Sequence, residues 1–328
     1  MTPTPPARSR LMHGLLKRLD YLFVLRPTLF YPVWTVSLAG LWSAERAAAG
    51  QPWYALHWPR QGFALEGAIA IGLLTLVMGA CFLLNQITDV ESDRLNNKLY
   101  LVASGAVSLR AAWSETALLL AAGLGGLLWL SRPLALVALL AFLVTGWAYS
   151  CAPLYGKDRP WAGLFINLGG SGLIYIFGWL MAAPASGRMF LSGLPYIAGI
   201  GAVYLLTTIP DRPGDAAAHK ITLAVHWGEE RIYGATLAAG TLGVLAALPV
   251  REGVALTATL LTWLFFYTAW RRRSVDSALR ANKFATLILS FLICWRLPVY
   301  LLLLVLVFYF SKWYYRMRFQ VHYPSLLT

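Results

Sequence analysis

Long apolar runs separated by short polar stretches organise this chain. Each run is apolar on every side, not on one helical face or at every second residue. Neither a surface helix nor a half-buried strand has that pattern. A helix crosses a bilayer with about 20 mostly apolar residues. Nine spans are expected by that length, at 21–42, 64–88, 112–130, 133–150, 162–183, 191–209, 231–250, 253–270 and 284–310. The last contains Arg296 and Pro298, so it reads as one kinked helix or as two segments turning near that pair. Backbone groups in lipid must be satisfied internally, and the runs lack the alternation of a barrel, so the fold class is an all-α membrane protein. Residues 1–20 read as a cytoplasmic N-terminal segment, 21–315 as a single transmembrane domain, and 316–328 as a C-terminal tail.

Composition excludes other classes. Of 328 residues, 59% are hydrophobic and 12% charged, whereas soluble domains carry about 25% charged residues. A soluble globular enzyme, a disordered chain and a disulfide-rich secreted module are excluded. Cys81, Cys151 and Cys294 lie in or beside apolar runs at no metal-ligand spacing and are expected as small buried hydrophobes. The Pro-rich start has no signal-peptide core, so the first apolar run is expected to stay as a span.

The net charge is +13, and its placement sets an orientation. Seventeen Lys and Arg residues fall on one side of the nine spans, among them Lys17, Arg94, Lys98, Arg110, Lys157 and Lys220. Five fall on the other: Arg46, Arg60, Arg132, Arg188 and Arg251. The positive side is cytoplasmic, which puts the N-terminus there. Nine spans leave Lys312, Arg316 and Arg318 outside, and a tenth crossing would bring them in. Attraction to anionic headgroups accounts for the excess charge, and no nucleic-acid partner is needed.

The acids are few and patterned. Four of the seven Asp form two i,i+4 pairs on the cytoplasmic side. Asn85, Asp89 and Asp93 end the second span, and four-residue spacing stacks them on one helix face, with Glu91 directed elsewhere. Asp211 and Asp215 end the sixth span, where Pro210, Pro213 and Gly214 predict a broken helix that turns both carboxylates inward. Two matched pairs four spans apart suggest an internal repeat around a central site. Carboxylates beside membrane spans are functional candidates, and oxygen donors suit Mg²⁺ completed by phosphates. Arg26, Arg94, Lys157 and Lys220 on the same side suit anionic oxygens.

With these motifs the chain resembles the UbiA superfamily of intramembrane prenyltransferases. Asn85, Asp89 and Asp93 are similar to its Asn-x3-Asp-x3-Asp motif, and Asp211, Asp215, Lys220 and Thr222 to its second. Tyr149, Ser150, Pro153 and Lys157 resemble its Tyr-Ser…Pro…Lys loop, and Arg26-Pro27 its first-span pair. The resemblance implies a bundle of about nine helices around a lipid-accessible cavity. It implies two Mg²⁺ ions held by Asp89, Asp93, Asp211 and Asp215, with Asn85 orienting a ligand. Arg26, Arg94, Lys157 and Lys220 would contact the diphosphate of a prenyl donor, and Tyr149 and Ser150 would line the site. Trp147, Tyr175, Phe177 and Trp179 are expected to offer ring faces to an allylic cation. The chain departs from the family at Tyr100, where an Arg-Pro pair is common, and at Thr208, where several subfamilies carry Asp.

The implied reaction is Mg²⁺-dependent transfer of an isoprenyl group from an allylic prenyl diphosphate to a lipophilic acceptor, with diphosphate released. A quinone- or tocopherol-type aromatic precursor is favoured, and a carotenoid, as in lycopene-elongase-like enzymes, is the alternative. In another class stands a transporter of anionic lipid or a metal ion. Acids at helix ends on one side, rather than at midplane, argue against it. The protein is expected as a multi-pass integral membrane protein, in the inner membrane if bacterial.

Overall fold

The computed structural model describes residues 7–50, 65–95, 101–217 and 220–324. Helix α1 (Ala7–Phe23) leads through a short 3₁₀ turn, Pro27–Leu29, into α2 (Phe30–Ala48). The chain continues through α3 (Leu65–Thr88), α4 (Val90–Leu95), α5 (Leu109–Leu130) and α6 (Arg132–Ala141). Beyond these come α7 (Pro160–Leu180), α8 (Gly187–Ala217), α9 (Leu223–Trp227), α10 (Glu229–Val250) and α11 (Gly253–Arg272). The last two are α12 (Val275–Arg296) and α13 (Pro298–Phe319). Among the described residues nine helices are long and apolar enough to cross a membrane, and no strand is present.

The membrane class and the count of about nine agree with the sequence reading, but the segments differ. The stretch expected at 133–150 is a shorter helix, α6, extended by a π-helical turn, Phe142–Ala148. The stretch expected as one span at 284–310 is two helices meeting at Leu297. Pro298 opens α13, where its missing N–H costs nothing. Arg296 ends α12 beside Trp42 of α2, its guanidinium 4.0 Å over the indole ring. From there α13 runs back along α2 and α1. Tyr31 Oη donates to the Leu304 carbonyl at 2.8 Å, Phe23 stacks on Tyr314 at 3.7 Å, and Arg318 reaches Asp20. The tail cations therefore lie at the Asp20 end of the bundle, as the tenth crossing required.

Packing in lipid depends on close backbone approach through small residues. A Cβ on Gly178 of α7 would lie 1.7 Å from the Ser37 carbonyl oxygen of α2, and one on Gly40 would lie 2.1 Å from the Tyr175 oxygen. Helices α2 and α7 thus touch backbone to backbone. At the Arg296 end, buried Glu252 caps α11 through Val254 N and Ala255 N and accepts from Trp42 Nε1 and Tyr196 Oη. A buried carboxylate is tolerable only when its lone pairs are filled in this way.

Helix α8 contradicts the expected break. It runs unbroken from Gly187 to Ala217 with Pro195, Pro210 and Pro213 inside it. Thr207 and Thr208 hydroxyls donate to the Tyr204 and Leu205 carbonyls. With its amide oriented to match, Asn282 of α12 donates to the Val203 carbonyl at 3.1 Å and accepts from Thr207 N at 3.3 Å. These bonds precede Pro210, and the helix continues through it and Pro213.

Candidate active site

Asn85, Asp89, Ser150, Lys157 and Lys220 come together around one carboxylate. The i→i−4 ladder continues across the junction of α3 and α4, with Asp89 N bonding the Asn85 carbonyl at 3.0 Å and Asp93 N the Asp89 carbonyl at 2.8 Å. That continuity holds the first motif on one face, and Glu91 is exposed as expected. Asn85 Nδ2 donates to Asp89 Oδ2 at 3.1 Å and to Ser150 Oγ at 3.4 Å. Lys157 Nζ lies 2.9 Å from Asp89 Oδ1 and 3.0 Å from Thr88 Oγ1. Lys220 Nζ lies 3.8 Å from the same Asp89 oxygen. Two distant segments therefore converge on one carboxylate.

Local backbone explains the convergence. Tyr155 adopts a left-handed conformation at φ 41 and turns the chain into the 3₁₀ segment Gly156–Asp158 that carries Lys157. A Cβ on Gly156 would meet Ile166 Cδ1 at 2.2 Å and the Ala148 oxygen at 3.1 Å, so glycine lets this loop lie close against α7 without moving Ile166. The π-helical turn delivers Tyr149 and Ser150, a feature frequent at functional sites. Tyr149 lies within electrostatic reach of Asp89 of the first motif and Asp215 of the second. Lys220 N is tied to the Asp215 carbonyl at 2.8 Å.

The remaining predicted residues differ in placement. Asp93 is buried, Asp215 half-buried and Asp211 exposed. Among the described residues no three His, Cys, Asp or Glu side chains form a ready metal cluster. Arg94 commits its Nε to the Ala103 carbonyl at 2.8 Å. Arg26 sits at φ 55 directly before Pro27, a conformation that costs a non-glycine residue about 1–2 kcal/mol and marks functional sites. Lys98, Tyr100 and Arg60 lie outside the described residues.

Behind the polar groups lies a cavity of about 330 Å³ walled by Asn85, Tyr149, Thr145, Phe82, Ile174 and α2 residues such as Val33. A second, of about 120 Å³, shares Pro32, Val36 and Ile200 with it and continues toward Tyr196 and Phe266. Of the four aromatics expected at the cavity, Tyr175, Phe177 and Trp179 are buried in helix packing and Trp147 is exposed, and none is in these walls. The rings that do face the cavities are Phe82, Tyr149, Tyr196 and Phe266. Cys81 and Cys294 are buried as expected, and Cys151 is partly exposed.

Residues 33–287 match the model of the UbiA prenyltransferase family. The chain belongs to this superfamily of intramembrane prenyltransferases. It is 29% identical over 184 residues to the bacteriochlorophyll synthase 34 kDa chain of Chloroflexus aurantiacus, a stretch covering 56% of this chain and 56% of that relative. Its fold is similar to a UbiA homolog from Archaeoglobus fulgidus bound to DMAPP and Mg²⁺. There the TM-score is 0.67 at 19% identity, over 86% of this chain and 99% of that one. A UbiA homolog from Aeropyrum pernix gives 0.61 at 21% identity, over 80% and 96%.

Proposed function

We propose that this chain transfers an isoprenyl group from an allylic diphosphate to a lipophilic acceptor, with Asp89, Asp93, Asp211 and Asp215 holding two Mg²⁺ ions. The observation that carries the reading is the convergence of Lys157 and Lys220 on Asp89, which Asn85 links to the wall of an apolar cavity. The Archaeoglobus relative's DMAPP and Mg²⁺ support the same donor class and ion. The donor set fits Mg²⁺, since its ligands are carboxylate and amide oxygens. Two carboxylate pairs, rather than one dense cluster, suit an ion that shares its coordination with substrate phosphates.

The chain's own residues have separate tasks in this reading. Lys157 and Lys220 place fixed positive charge where the leaving diphosphate gathers negative charge. Arg26 and Arg94 bind its outer oxygens. Asn85 fixes the rotamer of Asp89, and Ser150 fixes Asn85. Bound Mg²⁺ supplies further charge neutralisation for the leaving group. The apolar walls exclude the water that would quench an allylic cation, with Phe82 and Tyr149 at hand as ring faces.

The site faces the cytoplasm in this proposal, supported by the positive-side count and by Lys312, Arg316 and Arg318 joining that end. An aromatic acceptor remains favoured over a carotenoid, and the Chloroflexus relative's name adds a bacteriochlorophyll precursor to the panel. The test is pyrophosphate release in lipid with geranylgeranyl diphosphate and each acceptor. Release should need Mg²⁺, stop with EDTA, and vanish in Asp89→Ala and Asp215→Ala proteins that stay folded in detergent. Turnover retained in both variants would overturn the metal assignment.

A further inference from the structure

We propose that Asp20, Arg318 and Tyr314 act as positioning residues for the Arg26–Pro27 turn, and through it for the donor diphosphate. The inference rests on the reading above that Arg26 meets the donor. Asp20 is 1% exposed. Its carboxylate accepts from Arg318 Nε at 3.0 Å and from Nη2 at 2.9 Å in a two-pronged pair, and from Tyr314 Oη. Bidentate guanidinium–carboxylate pairs fix orientation as well as distance. Phe23, three residues on, stacks on Tyr314 at 3.7 Å with the planes 1° apart. The end of α1 is thereby bolted to α13.

The other flank of the turn is bolted to the acid motif. Gln86, next to Asn85, donates to the Val24 carbonyl. Leu25 and Phe30 side chains lie close over Gly79 of α3, at 3.5 and 3.6 Å from where its Cβ would be. Thr28 Oγ1 meets Tyr323 Oη at 3.1 Å. A left-handed arginine before proline persists only when its surroundings over-determine it, and these contacts do so from both sides. Asp20, Tyr314 and Arg318 lie outside the segment 33–287 that matches the family model, as does Arg26 itself. The clamp ties this chain's last helix to the turn that carries Arg26.

The experiment measures donor KM and kcat, and binding of inorganic diphosphate with Mg²⁺ by tryptophan fluorescence, in the full chain in lipid. Asp20→Asn and Arg318→Gln should each weaken diphosphate binding and raise donor KM about tenfold, the effect of one misplaced charge-assisted hydrogen bond, while kcat changes far less. Arg318→Lys should recover part of the loss. In an Arg26→Gln background Asp20→Asn should add nothing. Multiplicative losses in that double variant would overturn the proposal, as would a lowered melting temperature with unchanged KM. If Asp20→Asn fails to fold, Tyr314→Phe and Arg318→Lys carry the test, and unchanged diphosphate binding in both refutes it. A wild-type protein that neither binds diphosphate nor turns over donor would instead overturn the functional reading.

Discussion

Replacing Lys157 by Gln separates the two roles assigned to the charges around Asp89. The ammonium is 2.9 Å from Asp89 Oδ1, and its side chain is 9% exposed. Unit charges about 4 Å apart interact by about 4 kcal/mol at an effective dielectric of about 20. Desolvation and lysine entropy reduce the net value to about 1.5–3 kcal/mol, the range for a hydrogen bond to a charged group. Asp89 keeps Lys220 at 3.8 Å and Asn85 at 3.1 Å, so the variant should fold with a loss near the bottom of that range. Catalysis should lose more, because the missing charge stabilises the leaving group. Removing one such preorganised contact costs about 10²–10³ in kcat. Metal affinity should move the other way. The ammonium competes with a cation for Asp89, so Mn²⁺ binding without donor, followed by its electron spin resonance signal, should tighten in Lys157→Gln. A kcat within about threefold of wild type, or weakened Mn²⁺ binding, would refute this division of labour.

Two further outcomes follow from the packing and the cavities. Gly178→Ala must part α2 from α7, because the atom 1.7 Å from its Cβ is backbone oxygen and has no rotamer to change. A loss of about 1–3 kcal/mol is expected. It should appear as a lower melting temperature in detergent, while Gly169→Ala, with nothing within 4 Å, should not lower it. Val36 is in the wall shared by the two cavities, so Val36→Trp should divide them. Donors of two isoprene units should retain kcat/KM and donors of four should lose it, and an equal loss for both would refute the continuity of the channel.

What the sequence made legible follows the range of the interactions involved. Apolar runs announce spans because burial in lipid acts on every residue of a helix, and the motif spacing announced the Asn85–Asp89 face because it is local. The division of the last apolar stretch was half visible. Leu297–Pro298 carries a helix-start signal, but unbroken hydrophobicity on both sides hides the turn. What stabilises the turn is Arg296 over Trp42, a contact between distant parts of the chain. Glu252 and Asp20 were missed for the same reason, since a buried carboxylate reads as an ordinary loop or helix-end acid until its partners are known. The proline-rich end of α8 misled in the opposite direction, because the helix continues through Pro210 and Pro213 against the local rule, with Asn282 of α12 bonded to its backbone just before them.

The aromatic residues show how far spacing alone can go. Tyr175, Phe177 and Trp179 lie within one apolar span and were expected to face a cavity, yet the Gly40–Gly178 contact brings α2 against that helix. The same contact that buries these rings draws Val33 and Val36 of α2 toward Ile174 of α7, which together wall the larger cavity. Ring faces then come from Phe82, a turn before Asn85, and from Tyr149, next to Ser150. The glycines therefore have two effects at once: they close the bundle at the level of Tyr175 and leave the apolar space next to Asn85.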